Sequence, residues 1–283
     1  MNKDYIRKIV FLALQEDVGK GDVTTNALVL PYQRSKARLV SKSSGILCGN
    51  DFARQAFAQL DPQVRFQCLV RDGKNVKPGM VIAQVQGLAR ALLTGERVAI
   101  NFLSYLSSIA TKTHAFVKEV KPYKSIIMDT RKTTPLLREL ERYAVCCGGG
   151  VNHRFNLNAM AMVKDNHRFF CSKQRNISQM VAQVKRQNKK PVELEVDTLE
   201  QFQEALASKA DIILLDNMTP SQTRRAVALR DQSGSKTLLE ASGGIDINNV
   251  RRYAASGVER ISVGRLTHSR EALDISLEFY NDQ

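Results

Sequence analysis

The sequence predicts an α/β protein: a mixed N-terminal part, then a parallel barrel, complete or incomplete, of six to eight strands. Three observations carry that expectation. From about residue 124 a short apolar run, a polar or glycine-rich end and a helical stretch recur six times. Strands alternating with helices imply a parallel sheet, and unbroken apolar runs fit strands buried on both faces. The polar ends of those runs collect cations, carboxylates and glycines, which a parallel barrel brings together on one face. A doubly wound open sheet would gather them less completely, at one switch point.

The elements follow in order. The opening stretch MNKDYIRKIVFLALQED places Ile6, Ile9, Val10, Ala13 and Leu14 at helical spacing. Asp4, Glu16 and Asp17 lie among them, so it reads as a packed amphipathic helix and not a signal peptide. Residues 37–41 and 80–85 are short, β-branched and partly alternating, hence strands, with turns at Gly45, Gly49, Asp72-Gly73 and Pro78-Gly79. Residues 92 to about 120 have helical spacing and join the two parts. The six runs are 125–128, 159–163, 192–196, 211–215, 237–240 and 260–263. Thr134 before Pro135 predicts a helix N-cap, and Gly148-Gly149-Gly150 ends that helix near Cys147. Glu193 and Glu195 break the apolar pattern of their run, which marks them as candidates for chemistry.

Composition narrows the function classes. The 283 residues are 43% hydrophobic and 25% charged, enough to bury a core and unlike a disordered chain. Lys and Arg number 42 against 28 Asp and Glu, a net charge of +14. That charge allows nucleic acid, a small polyanionic substrate or a plain basic surface. The basic residues are spread, and the densest run, 185–190, ends a predicted helix, where cations suit the dipole. No zinc finger, RNA-recognition signature or basic zipper occurs, and aromatics are only 6%, which argues against an RNA-binding surface. The longest uncharged stretch, 98–111, is too short to span a bilayer. Five cysteines, two adjacent and none in a C-x-x-C pair, suit reduced thiols of a cytoplasmic protein. P-loop, dinucleotide and nucleophile-elbow motifs are absent.

The informative cations are embedded among Thr, Gly, Asn and His. Arg131, Lys132, Arg154 and Lys164, beside amides freed by glycine, are what phosphate or carboxylate oxygens need. His153 sits inside the cluster, with a hydrogen-bonding core role as its alternative. His167 is expected to orient a loop. No H-E-x-x-H spacing occurs, so histidine-bound metal is not expected. Glu195 and Asp216 suit sugar hydroxyls or a phosphate-bridged Mg²⁺, structural ion pairs being the alternative.

The segments EDVGKGDVTT, GLARALLTGERVAINFLSYLSSIAT, DTRKTTPLLRELERYAVCCGGGVNHRFNL, VKDNH, VELEVDTLEQ, DIILLDNM, LEASGGI and ISVGRLTHS run from residue 16 to 269. In this order they resemble the quinolinate phosphoribosyltransferase family, also called nicotinate-nucleotide pyrophosphorylase (carboxylating). The resemblance implies an N-terminal α/β sandwich over 1–110, joined by a C-terminal helix at 270–283. It implies an open or incomplete TIM-like catalytic barrel over 111–269. The implied reaction, a step of NAD biosynthesis, joins quinolinate to phosphoribosyl pyrophosphate with Mg²⁺, giving nicotinate mononucleotide, pyrophosphate and CO₂. By the same analogy Arg131, His153, Arg154 and Lys164 hold quinolinate, with Thr130 and Lys132 close by. Arg97 reaches the site from a neighbouring subunit of a homodimer or of a hexamer built as a trimer of dimers. Glu195 and Asp216 address the ribose and Mg²⁺, while Ser242, Gly243, Gly244, Gly264 and Arg265 form phosphate loops. Lys132, Lys164, Glu195 and Asp216 form the catalytic set.

The chain departs from the family's habit at four places. Leu136 and Asn156 stand where glycine is frequent, Ala159 where Asp is, and Arg265 where Ala is. Two alternatives are a molybdenum-transport-associated paralogue and a non-catalytic basic protein that binds nucleic acid. The TRKTTP and GGGVNHR stretches are intact, which argues against the paralogue and against loss of chemistry.

Overall fold

A computed structural model describes residues 1–171, 174–268 and 271–281. Contacts divide the chain into two compact units: Met1–His114, Pro135–Gly149 and Ser269–Gln283 form one, Ala115–Thr134 and Gly150–His268 the other.

In the first unit, α1 (Lys3–Val18) is capped by the Asn2 side chain and buries Ile6, Val10 and Leu14. Asp22 caps α2 (Val23–Leu28) by accepting from the Thr25 amide. The predicted strands appear as β1 (Arg34–Ser41) and, beyond β2 (Gly45–Ile46), α3 (Asn50–Leu60), β3 (Arg65–Cys68) and β4 (Asn75–Val76), as β5 (Val81–Leu88). Strand β5 pairs antiparallel with both β1 and β3, and β2 pairs with β4. The buried face of α3 carries Phe52 and Phe57, stacked on Phe102 at 5.0 Å and Phe66 at 6.5 Å. The connecting helix is α4 (Ala89–Val120).

All six predicted runs are strands of one parallel sheet. In chain order come β6 (Ile126–Met128), α5 (Arg138–Cys147), β7 (Ala161–Val163), α6 (Asp165–Cys171), α7 (Ile177–Gln187), β8 (Val192–Val196) and α8 (Leu199–Ala207). Then follow β9 (Ile212–Asp216), α9 (Pro220–Gln232), β10 (Leu238–Ser242), α10 (Val250–Ala254), β11 (Arg260–Ser262) and α11 (Arg265–His268). Asn176, Thr198 and Thr219 cap α7, α8 and α9, with Pro220 at the start of α9. The strand order is β6-β11-β10-β9-β8-β7. The first strand therefore lies beside the last. Val151 bridges to Met128, but β6 and β7 share no ladder among the described residues. The result is an incomplete barrel of six strands.

Three local expectations are corrected. The C-terminal helix expected at 270–283 is instead β12 (Ile275–Tyr280), antiparallel to β1, although residues 270, 282 and 283 lie outside the described residues. Ile275 and Leu277 are buried while Ser276 and Glu278 are less so, a period of two that suits a strand. Helix α5 starts at Arg138 and not at Pro135; Leu137 is its N-cap and gives no side-chain hydrogen bond. The interruption is Leu136, which adopts a left-handed φ of 66°. Two of the three glycines also have structural reasons. A Cβ on Gly148 would lie 2.4 Å from the Ala110 carbonyl oxygen, and Gly149 turns the chain at φ 89°. Helix α5, which the sequence reading places at 111–269, groups with the first unit.

Candidate active site

Alternation along the barrel strands decides which side chains face inward. On β8 the interior positions are Glu193 and Glu195, which face away from Leu194. Continuing the same parity around the sheet brings Thr130, Lys164, Asp216, Ser242 and Gly264 to the carboxyl ends of β6, β7, β9, β10 and β11. They line a cavity of about 580 Å³. Arg131 and Lys132 join from the loop after β6, His153 and Arg154 from the segment after Val151. Gly243, Gly244 and Arg265 complete the part expected to take phosphates. Every predicted site residue except Arg97 therefore lines this cavity. Arg97 is exposed on α4, in the first unit.

Local interactions hold these groups in place. Lys132 donates its amide to Thr130 Oγ1 at 3.1 Å, and its carbonyl accepts from Thr267 Oγ1 at 2.6 Å. That bond ties the β6 loop to α11. A Cβ on Gly243 would lie 2.2 Å from Asn217 Oδ1, so only glycine fits beside the β9 end. Asn217 itself has a φ of 54° and donates through Nδ2 to Asp216 Oδ2 at 2.7 Å. His167 accepts the Lys164 amide at Nδ1, 2.9 Å away, and orders that loop as expected.

Charge is arranged in layers. Lys164 Nζ is ion-paired with Glu195 Oε2. Burial, and secondarily the Glu195 charge, raise the Asp216 pKa. Burial and the neighbouring Arg131 lower that of Arg154, whose guanidinium donates to the Met160 carbonyl at 3.0 Å. Beneath them His153 is buried, its Nε2 3.2 Å from Glu193 Oε2 and 3.2 Å from Glu240 Oε1. Burial opposes the charged ring, but the two carboxylates outweigh it and push the pKa up to about 10. The Arg154 amide points the other way: it donates to Nδ1 at 2.7 Å, which needs a lone pair there. The amide cannot give up its hydrogen, so the ring proton belongs on Nε2, facing the carboxylates.

Sequence reasoning missed Glu240, Asp165 and His268 in the cavity wall. For Glu240 the signal was present: a carboxylate interrupting the apolar run Leu238-Leu239, as Glu193 interrupts its own. Glu195 and Asp216 are the pair suited to a hard cation. Two carboxylates are too few for an all-protein cage but enough for Mg²⁺ that also takes phosphate oxygens.

Comparison with known proteins identifies the family. Residues 22–107 match the model of the quinolinate phosphoribosyl transferase N-terminal domain, and residues 109–278 that of the C-terminal domain. A probable nicotinate-nucleotide pyrophosphorylase [carboxylating] of Bacillus subtilis is 40% identical over 278 residues, 98% of this chain and 94% of the relative. Quinolinate phosphoribosyltransferase [decarboxylating] 1 of Nicotiana glauca is 36% identical, covering 96% of this chain and 82% of its own length. The solved nicotinate-nucleotide pyrophosphorylase of Francisella tularensis superposes with a TM-score of 0.91 at 36% identity, covering 99% of this chain and 98% of that one. Both domain models and relatives spanning nearly the whole chain agree: it belongs to the quinolinate phosphoribosyltransferase family.

Proposed function

We propose that the chain joins quinolinate to 5-phosphoribosyl-1-pyrophosphate, releasing pyrophosphate and CO₂ and leaving nicotinate mononucleotide. One observation carries this reading. Arg131, Lys132, Arg154 and Lys164 converge on one cavity with Glu195 and Asp216, so cations for a dicarboxylate face carboxylates suited to a sugar phosphate. Charge-assisted bonds of this kind contribute roughly 1.5–3 kcal/mol each. Arg131, Arg154 and Lys164 would orient the pyridine nitrogen towards the anomeric carbon, with His153 behind them. No covalent nucleophile is needed; orientation and stabilisation of an oxocarbenium-like state suffice. Lys132 would face the pyrophosphate, with Ser242, Gly243, Gly244, Gly264 and Arg265 offering amides and charge to phosphate. Glu195 and Asp216 would hold Mg²⁺, which when bound supplies positive charge to the leaving pyrophosphate.

Loss of CO₂ follows once the ring nitrogen is alkylated, because its positive charge stabilises the electron pair left in the ring plane on the adjacent carbon until that carbon takes up a proton from water. A cation paired tightly with the departing carboxylate would favour the reactant over neutral CO₂. The firmer contacts therefore belong on the carboxylate that stays. Arg97 of the partner subunit would complete the site, consistent with its exposure and its absence from the cavity lining.

Turnover with quinolinate, phosphoribosyl pyrophosphate and Mg²⁺, with nicotinate as a parallel substrate, tests the reaction. Nicotinate mononucleotide and CO₂ from quinolinate alone are expected; a folded protein with no product would overturn it. Mixing Arg97→Ala and Lys132→Ala chains should restore partial activity. Proven mixed dimers without recovery would refute the shared site.

A further inference from the structure

Two carboxylates inside the barrel have no part in the chemistry above. Glu193 and Glu240 are fully buried, on β8 and β10 either side of β9. Their four oxygens receive no aligned hydrogen bond from any described residue. What they share is one ring, since His153 Nε2 lies 3.2 Å from an oxygen of each. Burying two such groups around one imidazole is unfavourable for the fold, so a role in stability alone does not explain them.

The three side chains have ligand atoms within 4.8 Å of one another, a spacing a metal ion could use. The other ring nitrogen argues against it. A metal on Nε2 would move the ring proton to Nδ1, where the Arg154 amide already directs its hydrogen from 2.7 Å. The arrangement instead reads as a relay that ends on Arg154. The carboxylates face the ring at Nε2, the ring fixes the Arg154 backbone at Nδ1, and the Met160 carbonyl fixes the guanidinium.

We propose that Glu193 and Glu240 are positioning residues for the dicarboxylate subsite: they hold the His153 ring, and the held ring sets the Arg154 backbone from which its guanidinium reaches the cavity. This rests on the assignment of Arg154 to quinolinate made above. It explains why two glutamates interrupt otherwise apolar strands one layer beneath the cations. The charge of Glu193 also acts on Arg154, where it offsets the repulsion from Arg131.

The test varies quinolinate and phosphoribosyl pyrophosphate independently in Glu240→Leu, Glu240→Gln and Arg154→Ala. Glu240→Leu should raise the KM for quinolinate about tenfold, ~1.4 kcal/mol, and leave that for phosphoribosyl pyrophosphate within about twofold. Glu240→Gln, whose amide carbonyl keeps an oxygen facing Nε2, should recover most of that loss. Parallel rises in both KM values together with a lowered Tm would indicate a structural role and overturn the proposal. An unchanged quinolinate KM in Arg154→Ala would sink the subsite assignment itself. A raised KM there beside an unchanged one in Glu240→Leu would overturn only the positioning role. Should Glu240→Leu not fold, a double-mutant cycle of Glu240→Gln with Arg154→Lys decides: coupling supports the relay, and strict additivity refutes it.

Discussion

The antiparallel sheet of the first unit and the parallel sheet of the barrel use the same alternation to bury opposite kinds of residue. In β1 and β5 the buried partners Ala37–Val85 and Leu39–Ala83 are apolar, while Arg38 and Gln84 are more exposed. In β8 all five residues are buried, with Val192, Leu194 and Val196 on one face and Glu193 and Glu195 on the other. The first arrangement gains stability from interior positions such as Leu39 and Val85. The second accepts buried charge, which costs stability, and gains a binding site. Stability and activity should therefore respond to different parts of the chain.

The largest separation is expected at the cations. Arg154→Ala or Lys132→Ala should lower turnover by about a thousandfold or more, with Tm nearly unchanged. A fully active, well-folded variant would break the comparison from the barrel side. In the first unit Phe57, fully buried against Phe66, is the counterpart. Phe57→Ala should cost about 3–5 kcal/mol in denaturant unfolding, with turnover per folded molecule preserved.

Asp216 sharpens the contrast within one residue. Burial raises its folded pKa, so its ionised form opposes folding above that pKa, and the opposition is relieved as pH falls through it. Asp216→Asn should raise Tm at pH 7, with the gain shrinking towards pH 4, while turnover falls. A lower Tm at pH 7 would contradict the cost assigned to this charge. The smallest effect is at Leu136, which is 87% exposed and left-handed at φ 66°. Leu136→Gly should stabilise by about 0.5–1 kcal/mol, the relieved strain exceeding the flexibility gained by the unfolded chain. An unchanged unfolding midpoint would show that the strain there does no more than match the flexibility gained by the unfolded chain.

The barrel was legible because its strands repeat one unit, and each polar end was written beside its apolar run. Cavity residues such as Lys132, Lys164 and Asp216 could be read directly from those ends. Less legible was whatever depended on distant pairing. The C-terminal stretch shows its alternation only over six residues, and it becomes a strand because β1 offers an edge. The interruption at Leu136 was hidden because Thr-Pro is a good helix start locally, and only the backbone shows that the chain turns once more before α5. Asn156, another departure from the family's glycine, has no left-handed φ and so introduces no comparable strain. Glu240 was passed over although its sequence context matched that of Glu193; a rule for carboxylates inside buried strands would have found both.

The pairing of β12 with β1 also bears on how the molecule is made. Residues 36–41 meet residues 275–280, near opposite ends of the chain. A ribosome adding roughly 5–20 residues per second needs on the order of ten seconds to a minute to cover that separation. Throughout that interval one edge of the N-terminal sheet is open, whereas in the barrel β6 waits only until β11 is made. An open edge is a template for intermolecular pairing. The interval before release, and not the finished enzyme, is thus when this chain is most exposed to aggregation, and truncation just before residue 275 would make that interval permanent.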